Sequence, residues 1–133
     1  MEKLLVLIKP GFSKEDVINR TREIIINSDL RVVSEKMVKY RVQDSMKHYK
    51  DKAKTSYYDE LTNYLSSNYS YGFIVEGEDA IKKMFYNKEN IRVAFPEIFN
   101  LKVDKMRNII HTSDSVEKAR NEIKIFKKLN KIH

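Results

Sequence analysis

The sequence contains no cysteine, so neither a disulfide framework nor a thiolate metal site can be built from it. Such a chain suits a reducing compartment, and a cytoplasmic location is expected. Long hydrophobic runs are missing as well. The longest one near the start, Leu4 to Ile8, is too short for a membrane span or a secretory core, and Lys9 and Pro10 follow it at once. Only three glycines and two prolines punctuate the chain, and no internal repeat, low-complexity tract or linker is apparent.

What is present points to one folded domain. A chain of 133 residues can bury one compact core unaided. An apolar fraction of 41% with 8 tyrosines and 6 phenylalanines is foreign to disordered chains. Lysine and arginine outnumber aspartate and glutamate by 26 to 19, for a formal charge of +7. The resulting positive field draws in polyanions such as nucleotides, nucleic acid or anionic lipid. Solvated helix faces in a lysine-rich background account for the same charge, so it does not choose a partner by itself.

The patterning gives an alternating order of elements. Leu4 to Ile8 reads as a central buried strand, ended by Pro10-Gly11. Ser13, with Asp16 three positions on, offers an N-cap to a helix over 14–28 striped by Val17, Ile18, Thr21, Ile24, Ile25 and Ser28. Residues 30–40 alternate as a strand does. Two short, polar, tyrosine-rich helices are expected near 43–50 and 55–67. A strand over 71–76 is closed by Gly77, and a helix runs from Asp79 to about Tyr86. Residues 87–107 read as irregular, with Pro96 and clustered aromatics. A strand end at 108–111 follows, and Ser113-Asp114-Ser115 then caps a helix striped by Val116, Ala119, Ile123 and Phe126. Strands separated by helices favour an α/β or split βαβ sandwich, with helices packed on an antiparallel or mixed sheet.

Chemistry concentrates around His111. It leaves a buried strand just before a hydroxyl-rich helix start, where free backbone N–H groups and the positive end of the dipole suit an incoming phosphate. A neutral imidazole there can act as a nucleophile toward phosphorus. Ser115, Lys118 and Glu122 share one helix face, which lets Glu122 orient a ring nitrogen of His111. Spacing alone leaves open a histidine that serves only as a structural hydrogen-bonder.

The words as spelled carry more. Asn108-Ile109-Ile110-His111-Thr112-Ser113-Asp114-Ser115 resembles the active-site signature of the nucleoside diphosphate kinases, Asn-x-x-His-x-Ser-Asp-Ser. Ile8-Lys9-Pro10 after an apolar strand is similar to that family's first-strand motif. His48-Tyr49 followed by Tyr57-Tyr58, then Val75-Glu76-Gly77, and Glu122 at its distance from the histidine, resemble it in the same order. The resemblance spans residues 4 to 126 and implies a single domain over 1–133. The implied fold is a ferredoxin-like split βαβ sandwich of the α+β kind, a four-stranded, mainly antiparallel sheet covered by helices.

The resemblance also implies a ping-pong reaction, in which His111 takes the γ-phosphate of a nucleoside triphosphate and passes it to a nucleoside diphosphate. Ser113 and Glu122 would hold and polarise the imidazole. Lys9 and Asn108 would meet the sugar hydroxyl and phosphates, Tyr49 would lie near the transferring phosphate, and Tyr57 and Leu61 would sandwich the base. Magnesium (Mg2+) would come with ATP or another triphosphate, bridging its phosphates without a protein cage. His48 reads as structural. The implied assembly is a homo-oligomer built on a dimer, with the family's usual hexamer left open.

The pattern also breaks. Gly11 stands where the family usually has an acidic residue. Phe85 stands where a phosphate-clamping arginine is expected, and a Pro-Gly-Thr-Ile-Arg-Gly-Asp-Phe loop is only echoed by Asn90 to Phe95, with Arg92 on the loop arginine. Lys82, Lys83 and Lys88 are the candidates to replace the lost charge. Two other functions stay on the table: a nucleotide-binding homologue without turnover, and a basic nucleic-acid-binding module.

Overall fold

The computed structural model describes residues 1–94 and 109–132, except for the side chains of Arg92 and Val93. The elements are β1 (Glu2–Ile8), α1 (Glu15–Asn27), β2 (Arg31–Val38), α2 (Val42–His48), a 3-10 turn (Lys50–Lys52), α3 (Tyr58–Leu65), β3 (Ser70–Gly77), α4 (Ala80–Val93), β4 (Ile110–Thr112) and α5 (Val116–Lys128). The four strands form one sheet in the order β2-β3-β1-β4, and all three pairings are antiparallel. This is the ferredoxin-like split βαβ arrangement expected from the sequence.

The continuous apolar run of β1 has a direct cause. The strand is flanked on both sides and covered on both faces, so Leu4 to Ile8 are all fully buried. Side chains alternate between faces. Leu4, Val6 and Ile8 join α1 and α4 in one core through Val17, Ile25, Ala80, Met84 and Ile91. Leu5 and Leu7 join α3 and α5 in the other, with Leu61, Leu65, Ile123 and Phe126. Strand β2 lies at the edge and alternates less cleanly, with a register shift between Val32 and Ser34.

The structure corrects three local expectations. Ser13 does not cap α1: Lys14 occupies that position without a side-chain bond. Lys9 to Phe12 closes a turn with Pro10 second and Gly11 third at φ 91, and the Phe12 N–H donates to the Lys9 carbonyl at 3.1 Å. The chain so turned brings the Ser13 hydroxyl to the Ile8 and Tyr69 carbonyls, 3.3 Å from each. Secondly, residues 87–93 of the stretch read as irregular are helical, because α4 continues to Val93, and 95–107 lie outside the described residues. Ile91 is fully buried on the same stripe as Ala80 and Met84, which holds the polar segment between them in the helix. Lastly, the helix expected over 43–50 ends at His48 and gives way to the 3-10 turn.

Candidate active site

Among the described residues, short strand β4 pairs only with β1, setting His111 opposite Leu7 and therefore on the face covered by α2 and α5. Just beyond it, Ser113 is fully buried. Its backbone N–H donates to the Leu5 carbonyl at 3.1 Å, and its hydroxyl oxygen accepts from the Leu5 N–H at 3.0 Å. The hydroxyl proton goes to Glu122 Oε1, 2.6 Å away. The same carboxylate oxygen accepts from His111 Nε2 at 2.8 Å. A relay thus runs from the central strand through Ser113 and Glu122 to the imidazole. With Nε2 committed as donor, Nδ1 is left as the nitrogen with a lone pair.

The electrostatics keep Glu122 ionised as the acceptor. Burial alone would raise the Glu122 carboxyl, but the neighbouring His111 ring and its hydrogen bond, then His48 and the Ser113 hydroxyl, outweigh it and hold it below the usual carboxylate range. His48, on the last turn of α2, lies edge-on to His111 with ring centroids 4.9 Å apart. Its ring is buried, and neither nitrogen has a hydrogen-bond partner among the described residues. Burial, and then the neighbouring His111, push its pKa down to about 3, so it is neutral at ordinary pH. Next to it, burial and the Glu122 charge push the Tyr49 phenol up, and the hydroxyl keeps its proton.

These groups open on a cleft of about 220 Å³ at the β4 edge of the sheet. Four lysines line it: Lys9 at the end of β1, Lys52 on the 3-10 turn, Lys88 on α4 and Lys118 on α5. Lys9 is buried, and its backbone N–H donates to the Ile109 carbonyl at 2.9 Å. Lys118 lies between Asp51 at 3.1 Å and Asp114 at 3.3 Å, and those contacts raise its pKa, the Asp51 bond foremost. Lys88 rides over the Phe85 ring, Nζ 4.4 Å from the centroid, in a cation–π contact at the cleft wall. Beneath the floor, Ser115 caps α5 by accepting the Lys118 N–H at 3.1 Å.

The fold therefore brings together Lys9, Tyr49, His111, Ser113 and Glu122 among the residues singled out from sequence. It also separates the three replacement lysines. Lys88 lines the cleft, Lys82 lines a neighbouring depression, and Lys83 lines neither. Tyr57 and Leu61 stand apart on the α3 side: Tyr57 is 43% exposed, and Leu61 is buried in the core under α3. Arg92 falls in the last turn of α4 rather than in a loop, with its side chain outside the described residues; Asn108 lies outside them altogether. Asp51 and Lys52 were not singled out by sequence reasoning. Their charges are unremarkable in a chain with 34% charged residues, and only the 3-10 turn sets them on the cleft.

The chemistry of the donor set also bears on metals. Of the carboxylates lining the cleft, Glu122 is engaged by His111 and Ser113, and Asp51 and Asp114 by Lys118. His48, His111 and Glu122 bring ligand atoms within 4.8 Å of one another. That triad is already closed by the imidazole–carboxylate hydrogen bond. No helix among the described residues is long and apolar enough to cross a membrane.

Known proteins match this architecture over nearly its whole length. The family model for nucleoside diphosphate kinase matches residues 2–132. A nucleoside diphosphate kinase of Methanocaldococcus jannaschii is 32% identical over 135 residues, covering 98% of this chain and 96% of its own. The crystal structure of the Aquifex aeolicus nucleoside diphosphate kinase superposes with a TM-score of 0.78 at 26% identity, covering 94% of each chain. A halophilic nucleoside diphosphate kinase from Halobacterium salinarum, solved in complex with CDP, shares the fold at a TM-score of 0.75 and 19% identity, covering 99% of this chain and 93% of that one. On its sequence over residues 2–132 and on its fold, this chain belongs to the nucleoside diphosphate kinase family.

Proposed function

We propose that the protein transfers the γ-phosphate of a nucleoside triphosphate to a nucleoside diphosphate through a phosphohistidine at His111. The observation that carries this reading is the Glu122–Nε2 hydrogen bond of 2.8 Å, which fixes a ring lining a lysine-rich cleft and leaves Nδ1 as its free nucleophilic nitrogen. In the first half-reaction Nδ1 donates its lone pair to the γ-phosphorus. The bond to the bridging oxygen breaks, and the nucleoside diphosphate leaves with that electron pair. The Nε2 proton stays on the ring against Glu122, which stabilises the positive charge that develops. In the second half, a terminal oxygen of an incoming diphosphate attacks phosphorus and the N–P bond breaks, restoring the neutral imidazole.

Positioning and charge neutralisation are most of what phosphoryl transfer asks of a protein. Lys9 supplies a buried cation at the phosphates, and Tyr49 a protonated hydroxyl. Lys88 takes the place of the arginine that Phe85 displaces, because it alone of the three α4 lysines considered lines the cleft. Tyr57, exposed beside the start of α3, offers a ring face to a base, with Leu61 behind it; Asn108 and Arg92 are assigned to the sugar and phosphates on the motif. Stacking leaves base choice loose. Magnesium is part of the substrate, held by the nucleotide phosphates. The CDP bound to the Halobacterium protein is in keeping with a nucleotide as ligand. A cytoplasmic enzyme assembled on dimers completes the reading.

The test is incubation with γ-labelled ATP and magnesium, then a chase with GDP, on the wild type and on His111→Ala. The expected result is acid-labile label on the wild type alone, discharged to GTP. Label that forms but does not discharge points to a nucleotide-binding homologue arrested at the acceptor step. Folded wild type that takes no label overturns the proposal.

A further inference from the structure

The His111 cleft is of mixed sign. There, four lysines face three carboxylates, Asp51, Asp114 and Glu122. A larger groove of about 850 Å³ lies between α2, α5 and the segment after α5. Lys39, Arg41, Lys47, Lys50, Lys124 and Lys128 line it, with Asp44 as the one acidic residue. The chain as a whole holds 26 basic residues to 19 acidic, so background composition does not account for this imbalance. Asp44 is moreover spent on Arg41, accepting from Nε at 2.9 Å and from Nη2 at 3.1 Å. None of the ion pairs among the described residues engages the five lysines.

The groove is built, not a chance gap between mobile side chains. Asn121 on α5 donates to the Lys47 carbonyl of α2 at 3.1 Å, tying the two helices together. The Ile132 N–H donates to the Met37 carbonyl at 2.8 Å, pinning the last segment to β2. Between the charged rims, Met46, Ile125, Leu129 and Ile132 supply apolar surface. Holding six basic side chains against one carboxylate along one trough costs the fold repulsion energy, which a polyanion lying in it would relieve. An anionic bilayer needs a flat or convex face, whereas a trough takes a strand. A flexible chain of regularly spaced monoanions with apolar faces between them matches the rims and the apolar surface together.

We propose that this groove binds single-stranded nucleic acid through its phosphodiester backbone, at a site separate from the His111 cleft. No aromatic residue lines it, so bases find no stacking platform and binding is tolerant of sequence. The inference does not depend on phosphoryl transfer at His111.

The experiment is fluorescence anisotropy of a labelled, mixed-sequence single strand of about twelve nucleotides, long enough for one binding groove, titrated with the full chain. Neutralising about five phosphates gives a log–log salt slope of about −3.5, or roughly a hundredfold weakening between about 50 and 200 mM salt. Lys124→Glu/Lys128→Glu alters two exposed groove residues and is expected to weaken binding by at least about tenfold. Lys14→Glu/Lys82→Glu makes the same charge change at exposed positions outside the groove and is expected to bind like wild type within about twofold. His111→Ala binds normally, and saturating Mg-ATP does not displace the strand. The proposal is overturned if the folded wild type does not bind at low salt, or if both double variants weaken alike, which would mean a mean-field effect only. Displacement by Mg-ATP, which would place the strand in the cleft, overturns it too. So does binding to vesicles of anionic phospholipid without binding to the strand.

Discussion

At the scale of single residues, one oxygen of Glu122 does two jobs. It accepts from His111 and from Ser113, and Ser113 is itself fastened to the backbone of Leu5 in the central strand. The orientation of the His111 ring is thereby referred to the fully buried central strand, not to a loop. The opposite wall is less constrained by motif. There Phe85 presents a ring where the family pattern has a cation, and Lys88, one turn further along α4, lays its ammonium over that ring and into the cleft. If Lys88 grips the transferring phosphate, losing it removes a charge-assisted contact of about 1.5–3 kcal/mol. Lys88→Ala should then lower kcat/KM by roughly ten- to a hundredfold, while Lys82→Ala, on the same helix but off the cleft, stays near wild type. Steady-state kinetics on the two variants decides this, and equal losses would remove Lys88 from the site.

At the scale of elements, the site depends on how closely α5 approaches the sheet. Gly72 on β3 lies against the fully buried ring of Phe126; a Cβ there would come within 2.6 Å of Cζ. Phe126 is one turn after Glu122, so the missing side chain at Gly72 sets the height of the helix that carries the carboxylate. Gly72→Ala is expected to destabilise by about 1–3 kcal/mol through overpacking, measured as a lower urea midpoint. Combining it with Phe126→Leu should recover part of that loss. Additive losses in the double variant would mean that the two positions do not meet. The length of α4 makes a related point. Asn87 to Asn90 carry no apolar signal, and their helical state follows from the burial of Ile91 beside Met84, a contact with the sheet that local pattern does not show.

At the scale of the whole molecule, stability is tied to pH through His48. Its folded pKa of about 3 lies below the ordinary histidine value of 6.5, so the unfolded chain takes up a proton well before the native one does. The contribution of the neutral ring is complete above pH 6.5 and is lost as pH falls from there toward 3. Glu122, whose pKa is depressed below 4.5, adds its own loss only at lower pH. Between about pH 6.5 and 4.5 the unfolding free energy should therefore drop with a slope approaching about 1.4 kcal/mol per pH unit. Urea titrations across that window on wild type and His48→Gln test this: the variant should show a shallower slope, and identical slopes would refute the assignment.

The order of elements, the central position of β1 and the signature around His111 were legible in the sequence, because each is written in local pattern: an apolar run, alternating periods and an eight-residue motif. The same motif marked Ser113 and, by spacing, Glu122. Tertiary structure alone decided what meets across distance. It set His48 edge-on to His111, turned Lys118 toward two carboxylates, put Lys88 and not Lys82 or Lys83 on the cleft, and gathered five lysines outside any ion pair from α2, α5 and the segments beside them into one groove. These are contacts between elements far apart in the chain. Helix and strand periods tell which face of an element is buried, but what lies opposite that face is fixed only when the sheet and its helices pack.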